Sequence, residues 1–453
     1  MVYRYQYKTF LIKLTIGVST AGKDISVSTA MAVGLGGIIG AGIFVLSGTA
    51  ISLAGPYAIL AFVAVGVLAL IVSREFGLLT SVMPNAKGAS YSYVHKAFGS
   101  ELGFVTGIIQ YFGYSTTVSA IALGFGSYLH GLIGVQLGIG SVGYAIAIII
   151  VLALVNLLGV KGATKTESIL VAIKIGILML FIGYTLYFVF GASHFSAANF
   201  TPLPSQTTPS AFLAACIAIF FAYTGFQSIT TLTSRIKGRA KGAASALEYA
   251  VGISIVLYVL IAVSLMLLVP AGKYTVSADP LNFALSASSA PSWFVVLIGL
   301  GALVATASAT LSIMLGSSRV LHQMSEDRLI PAVFRHYDKK RDVSISGIVT
   351  SAIIGIVMLF SGNIYVIASI SNLGTLFSYI MASLAVIHFN RKGIVKEPVY
   401  LSIVAIAFLL LLILSLPTIA LSIGIGLLLL LLVVYYSLRE VENKKVVRIR
   451  LFK

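Results

Sequence analysis

The chain has 453 residues, of which 58% are apolar and 9% charged, with a formal charge of +17. An ordinary soluble protein is about 25% charged, so a soluble enzyme and a disordered chain are excluded. The single cysteine, Cys216, excludes a disulfide scaffold as well.

Charges punctuate the chain, and the apolar runs between them read as membrane-spanning helices. Span 1 covers about Ile25 to Leu53, and Gly55-Pro56 turns the chain into span 2, about Tyr57 to Met83. Leu102 to Val160 carries no Lys, Arg, Asp or Glu over 59 residues. As one helix it would measure ~88 Å, too long for a single crossing of a ~30 Å core. The Gly-rich stretch Gly131 to Gly143 therefore divides it into spans 3 and 4. Span 5 runs from about Glu167 to Phe190, span 6 from Ser210 to Thr233, span 7 from Leu247 to Val269 and span 8 from Pro291 to Arg319. Val343 to Asn390 breaks at Ser361-Gly362-Asn363 into spans 9 and 10, and Pro398 to Leu438 breaks at Leu416-Pro417-Thr418 into spans 11 and 12. Strands of a barrel would alternate apolar and polar residues over ~10 positions. These runs are continuously apolar, so the expected fold is an all-α membrane protein of twelve transmembrane helices.

The positive charges fix an orientation. With the first residues inside and the spans alternating, 27 of the 30 Lys and Arg residues fall on the inner side. Only Lys273 falls outside, while Arg74 and Lys174 lie within spans. The positive-inside rule then places both termini in the cytoplasm, and the +17 reports orientation rather than nucleic-acid binding. The expected organisation is a cytoplasmic segment 1–24, spans 1–5 in 25–192, spans 6–10 in 209–390, spans 11 and 12 in 397–438, and a basic cytoplasmic tail 439–453.

Two spans resist a continuous helix. In span 1, Gly34-Leu35-Gly36-Gly37-Ile38-Ile39-Gly40-Ala41-Gly42 holds five glycines in nine residues, each costing ~1 kcal/mol of helix propensity relative to alanine. Scattered glycines would signal close helix packing; a cluster this dense at mid-span predicts an unwound segment. Irregular backbone in a membrane must line a cavity or be buried in protein. The counterpart is Phe220-Phe221-Ala222-Tyr223-Thr224-Gly225-Phe226 in span 6, five spans later. Five is odd, so a second repeat beginning there is inverted relative to the first, the arrangement of secondary transporters. Half-helix N-termini suit a carboxylate and exposed carbonyls suit an ammonium. Two facing breaks would hold a zwitterion such as an amino acid.

Lys174 is the one charge far from an expected interface, about nine residues past Lys165 and so roughly 13 Å deep. One reading has it snorkel along its four-carbon stem to the inner interface. The other has it face the bundle interior, where burial disfavours the ammonium form and makes the side chain a reversible proton carrier. Gln110, Asn156, Asn282 and Asn372 read as hydrogen-bonding glue between helices. No metal-ligand spacing, phosphate loop or hydrolase elbow is present, so the expectation is a non-enzyme without cofactor or metal.

These residues resemble the amino acid–polyamine–organocation superfamily, within it the prokaryotic relatives of the cationic amino acid transporters. The resemblance rests on six stretches in order: Gly37-Ile38-Ile39-Gly40-Ala41-Gly42-Ile43-Phe44; Pro84 with Gly88, Tyr91, Tyr93 and Val94; Asn156 to Lys161; Phe221 to Phe226; Ser318-Arg319 with Met324, Asp327 and Leu329-Ile330-Pro331; and Gly374-Thr375-Leu376. It implies a five-plus-five inverted repeat with broken helices 1 and 6. It also implies carboxylate binding at the N–H groups of Ala41 and Gly42, amine binding at the carbonyls of Ile38, Phe221, Ala222 and Thr224, and a gating role for the Phe221 ring. Lys174 matches a span 5 lysine that replaces a sodium ion in proton-coupled relatives, with Ser308 and Ser312 as its span 8 neighbours. Relatives usually follow span 6 with two glutamates and Lys-Asn-Pro; here Ser234-Arg235-Ile236-Lys237-Gly238-Arg239 stands instead.

The function expected is amino acid import across the plasma membrane by a proton-coupled symporter. An amino acid or polyamine exchanger and a non-transporting amino acid sensor are the alternatives. The partners expected are the amino acid, protons and the lipid bilayer. The pocket is expected to be lined by apolar and aromatic residues without a deep acid, which favours neutral or apolar amino acids as cargo.

Overall fold

The computed structural model describes residues 25–433 apart from 41, 87, 134–138, 160–162, 339–342, 397 and 431. Among these residues the secondary structure is helical, with two isolated backbone bridges and no sheet. This is the form that lets a long apolar run satisfy its own N–H and C=O groups.

Span 1 is α1 (Val27–Ile38), a π turn at Gly42–Leu46 and α2 (Ser47–Ala54). The Gly55–Tyr57 turn leads into α3 (Ala58–Val82). A short helix, α4 (Ser90–Phe98), precedes α5 (Ser100–Ile133) and α6 (Ser141–Leu158). Helix α7 (Ala163–Leu186) ends in a π turn at Tyr187–Gly191. Span 6 is α8 (Pro209–Ala222), capped by Thr208 with Pro209 in its first turn, and then a 3-10 helix over Phe226–Arg235. Next come α9 (Arg239–Leu268), the short α10 (Pro280–Ala287), α11 (Ser292–Glu326), α12 (Ile345–Met358), α13 (Ile364–Arg391), α14 (Val399–Leu414) and α15 (Thr418–Leu430).

Among the described residues, eight helical segments are long and apolar enough to cross a membrane; the pair α14 and α15, bent by 109°, raises this to nine if taken as one span. The segment Val27–Val82 enters that number once, although it is interrupted twice. Among the described residues, helices occupy the apolar runs, eight or nine of them meeting the length and composition of a span rather than the twelve expected, and helix ends differ from the expected span ends. Helix α9 starts at Arg239 rather than near Leu247, and α11 runs to Glu326 rather than Arg319. Both helices carry charged residues at the ends that project past the apolar core, so a charge marks the membrane boundary and not the helix boundary. Helices α4 and α10 are additions that the charge pattern does not mark.

The broken spans sit at the centre. Helix α1 packs on α9, α7 and the 3-10 helix, α8 on α2, α3 and α13, and α5 on α11 and α13. Two of the expected amides tie neighbouring helices together, Asn156 donating to the Leu311 carbonyl at 3.2 Å and Asn372 to the Ile217 carbonyl at 2.6 Å, whereas the buried Oδ1 of Asn282 has no partner among the described residues. At the other end of α7 and the start of α11, Tyr187, Phe190 and Trp293 are exposed, as in the aromatic belts of membrane interfaces.

Candidate functional site

The two breaks lie back to back. A Cβ on Gly37 would fall 2.7 Å from the Gly225 carbonyl oxygen, and a Cβ on Gly225 would fall 2.4 Å from the Gly37 carbonyl oxygen. Gly225 also has φ of 106°, a left-handed conformation that side chains disfavour. A Cβ on Gly42 would fall 2.1 Å from Ala222 Cα. Only glycine lets these backbones approach so closely, which accounts for the dense cluster in span 1.

Each break exposes carbonyls. Helix α1 ends in an inverse γ-turn: Ile39 has φ of −76° and ψ of 67°, and the Gly40 N–H donates to the Ile38 carbonyl at 2.8 Å. The Tyr258 hydroxyl, fully buried in α9, lies 2.6 Å from the Ile38 carbonyl and 3.2 Å from the Ala222 carbonyl. One proton thus spans both breaks. In the second break the Phe221 carbonyl accepts the Thr224 hydroxyl at 2.9 Å. Just beyond the first break, Tyr128 donates to the Phe44 carbonyl at 2.6 Å.

The structure brings Ile38, Gly42, Phe221, Ala222 and Thr224 together at this crossing, with Ile38, Gly42, Phe221 and Ala222 buried. Ala41 lies outside the described residues. Lys174 is fully buried in α7, and its Nζ donates to the Gly36 carbonyl at 2.9 Å, in the last turn of α1. Snorkelling to the interface is therefore not its position here. On α11, Ser308 is buried with its hydroxyl 3.4 Å from the Ala305 carbonyl. A Cβ on Gly40 would fall 2.9 Å from that of Ala309, so α11 closes the first break on the side of Ser308.

A cavity of about 260 Å³ starts at Gly37 and Gly225 and runs to Arg235 and Arg319. Its polar lining includes Tyr114, Thr117, Gln227, Ser228, Ser312 and Thr375, and no carboxylate among the described residues. The hydroxyl-rich wall departs from the apolar and aromatic lining expected. Those hydroxyls come from four separate segments, and in sequence each reads as ordinary helix content. Tyr258 escapes a reading of the sequence for the same reason: within an apolar run, a tyrosine looks like packing. Its signal is the need of two broken helices for a hydroxyl donor at the same depth.

The start of span 1 and the end of span 6 are clasped. The Ile25 N–H donates to the Arg235 carbonyl, and the Lys237 N–H donates to the Ile25 carbonyl, each at 2.9 Å.

Two broken helices crossing beside a buried lysine, within an all-helical bundle, define a membrane transporter fold. The amino acid permease family model matches residues 25–436, and the chain belongs to that family. It is 29% identical to the methylthioribose transporter of Bacillus subtilis over 79% of each chain, and 27% identical to that organism's branched-chain amino acid permease over 86% of each. It is 26% identical to cationic amino acid transporter 7 of Arabidopsis thaliana, over 78% of this chain and 63% of that one. A structure of a mutant manganese transporter from Eremococcus coleocola superposes with a TM-score of 0.57 at 12% identity, covering 90% of this chain and 94% of that one. That likeness establishes the fold alone.

Proposed function

We propose that the chain is a secondary active transporter that imports amino acids across the plasma membrane by alternating access, coupled to protons through Lys174. The observation that carries this reading is the Lys174–Gly36 bond, which joins a buried titratable group to the half-helix that ends at the first break. Protonated Lys174 holds α1 against α7 and favours the outward-open, cargo-accepting form. Loss of the proton removes a donor and the charge, loosening α1 for release inside.

In this reading the N–H groups of Ala41 and Gly42 receive the cargo carboxylate. The amine meets the carbonyls of Ile38, Phe221, Ala222 and Thr224, with the Phe221 ring above it. Ser308 and Ser312 are the α11 neighbours of Lys174. The chain crosses the membrane twelve times as two inverted five-helix repeats plus two helices, with both termini in the cytoplasm. The cavity leading from the breaks to Arg235 and Arg319 supports an inward-facing state, because these arginines lie on the positively charged side. The permease and cationic amino acid transporter relatives support an amino acid as cargo.

The test is uptake of labelled amino acids into proteoliposomes with and without an inside-alkaline pH gradient. Gradient-driven accumulation is expected. Exchange against preloaded amino acid without accumulation would make the protein an antiporter. Uptake of a thio-sugar but of no amino acid would overturn the cargo.

A further inference from the structure

A polar network on the cavity wall leaves the hydroxyl hydrogen of Tyr114 without an acceptor among the described residues. The Gly225 N–H donates to Gln227 Oε1 at 3.0 Å, and the Tyr379 hydroxyl donates to the same oxygen at 2.9 Å. A backbone N–H can only donate, so that atom is the amide oxygen and the opposite end of Gln227 is its NH2 group. Gln227 Nε2 then donates to the Tyr114 hydroxyl oxygen at 2.8 Å.

Gln110 is oriented by the same logic. The Tyr91 N–H donates to its Oε1 at 3.0 Å, and its Nε2 donates to the Tyr114 hydroxyl oxygen at 3.1 Å. Two amides therefore occupy the acceptor sites of Tyr114, and its own proton must be given elsewhere. Among the described residues no acceptor takes it, and Tyr114 lines the cavity. A second group points the same way. Thr375 on α13 is 3% exposed, lines the cavity and has no hydrogen-bond partner among the described residues. The Ser228 hydroxyl on the same wall is buried and, among the described residues, unpartnered too.

We propose that Tyr114 and Thr375 read the side chain of the cargo, and that the cargo is a neutral polar amino acid bearing a hydroxyl or carboxamide. This rests on the amino acid reading above and narrows it. The Tyr114 O–H donates to the side-chain oxygen, and Thr375 supplies a hydroxyl that can accept or donate. An apolar side chain would leave these groups unpaired, a larger loss than a mismatch in apolar volume. A cationic side chain would meet Arg235 and Arg319 with no carboxylate on the described wall.

The experiment is binding and competitive uptake of serine, asparagine, alanine, leucine and lysine by the full chain in proteoliposomes. The wild type is expected to favour serine and asparagine over alanine and leucine by about tenfold or more, with lysine weakest. Tyr114→Phe is expected to weaken serine and asparagine about tenfold more than alanine. A wild-type preference for leucine or lysine overturns the proposal, as does equal weakening of serine and alanine by Tyr114→Phe. If Tyr114→Phe does not fold, Thr375→Val carries the same comparison: selective weakening of serine and asparagine supports the proposal, and equal weakening overturns it. Binding of none of the five would count against the amino acid reading itself; binding of all five without discrimination would count against Tyr114 and Thr375 alone.

Discussion

Lys174 reaches across 138 residues of sequence to bond the carbonyl of Gly36, one residue from the glycine at which the two broken spans touch. In the proposed mechanism this bond links protonation at α7 to the position of α1. Lys174→Ala is expected to abolish stimulation of uptake by an inside-alkaline gradient while leaving measurable cargo binding. It also leaves a buried carbonyl short of a donor, at a cost of about 1–3 kcal/mol, so the melting temperature should fall. Gradient-stimulated uptake that survives in the variant would separate Lys174 from coupling.

The contact between Gly37 and Gly225 predicts a sharp contrast among glycines. Gly225→Ala puts a side chain 2.4 Å from a backbone oxygen and into a left-handed conformation. Strain and overpacking should cost about 1–3 kcal/mol each, with loss of transport. Gly252→Ala, in α9 with open space around it, should be neutral or gain up to ~1 kcal/mol. Comparing melting curves of the two variants checks this; similar destabilisation would mean that the breaks do not touch.

Tyr258→Phe removes the hydroxyl that serves both breaks. The Ile38 and Ala222 carbonyls then lack that donor, and stability should drop by about 1–3 kcal/mol. If these carbonyls also hold the cargo amine, binding of an amino acid should change by about tenfold while binding of the corresponding hydroxy acid changes little. Isothermal titration of the two ligands on both proteins tests the assignment.

The clasp between Ile25 and Ile236 predicts that the first half of span 1 and the second half of span 6 move together. The native Cys216 is buried, which makes a cysteine-free background practical. In Cys216→Ser, the pair Ile25→Cys and Ile236→Cys should cross-link on oxidation, because bridged neighbours lie within disulfide reach, and uptake should persist. Uptake that is lost on oxidation and restored by reductant would show instead that the clasp opens in each cycle.

Asp279, in the connection before α10, has its carboxyl pushed above the usual carboxylate range by burial, against weaker opposing effects from its own backbone and from His130. A raised carboxyl favours the folded protein when protonated. The stabilisation is fully present below the unfolded-state value and fades as pH rises through the folded-state value. Asp279→Asn should therefore be more stable than the wild type at neutral pH, with the advantage shrinking as the pH is lowered toward about 4. A constant difference across that pH range would point to packing rather than titration.

Charge-free runs locate the helices because a membrane core excludes charge, and glycine density locates the first break because only glycine permits the Gly37–Gly225 approach. The second break is legible only by its offset from the first. Other features have little local signal. Phe226–Arg235 is a ten-residue 3-10 helix, longer than such helices usually run; its five Ser and Thr residues are the one local sign that it is not an ordinary apolar α-helix. The polar cavity wall is assembled from α5, the 3-10 helix, α11 and α13, so its chemistry exists only after packing. Gln110 reads as glue; it does link helices, but its larger part is to orient Tyr114. The helix ends at Arg239 and Glu326 lie beyond the expected positions because these helices continue past their apolar stretches into charged sequence.

The Ile38 carbonyl accepts the nearby Gly40 N–H but takes its second donor from 220 residues further along the chain. During synthesis the first broken helix is therefore made long before the tyrosine that completes it, and unsatisfied carbonyls are costly in lipid. The nascent first half must keep that region wet, or shielded by the insertion machinery, until the seventh span arrives. The feature that serves the finished transporter thus sets a demand on its birth: one side of the central crossing is translated 220 residues before the tyrosine that bonds to it.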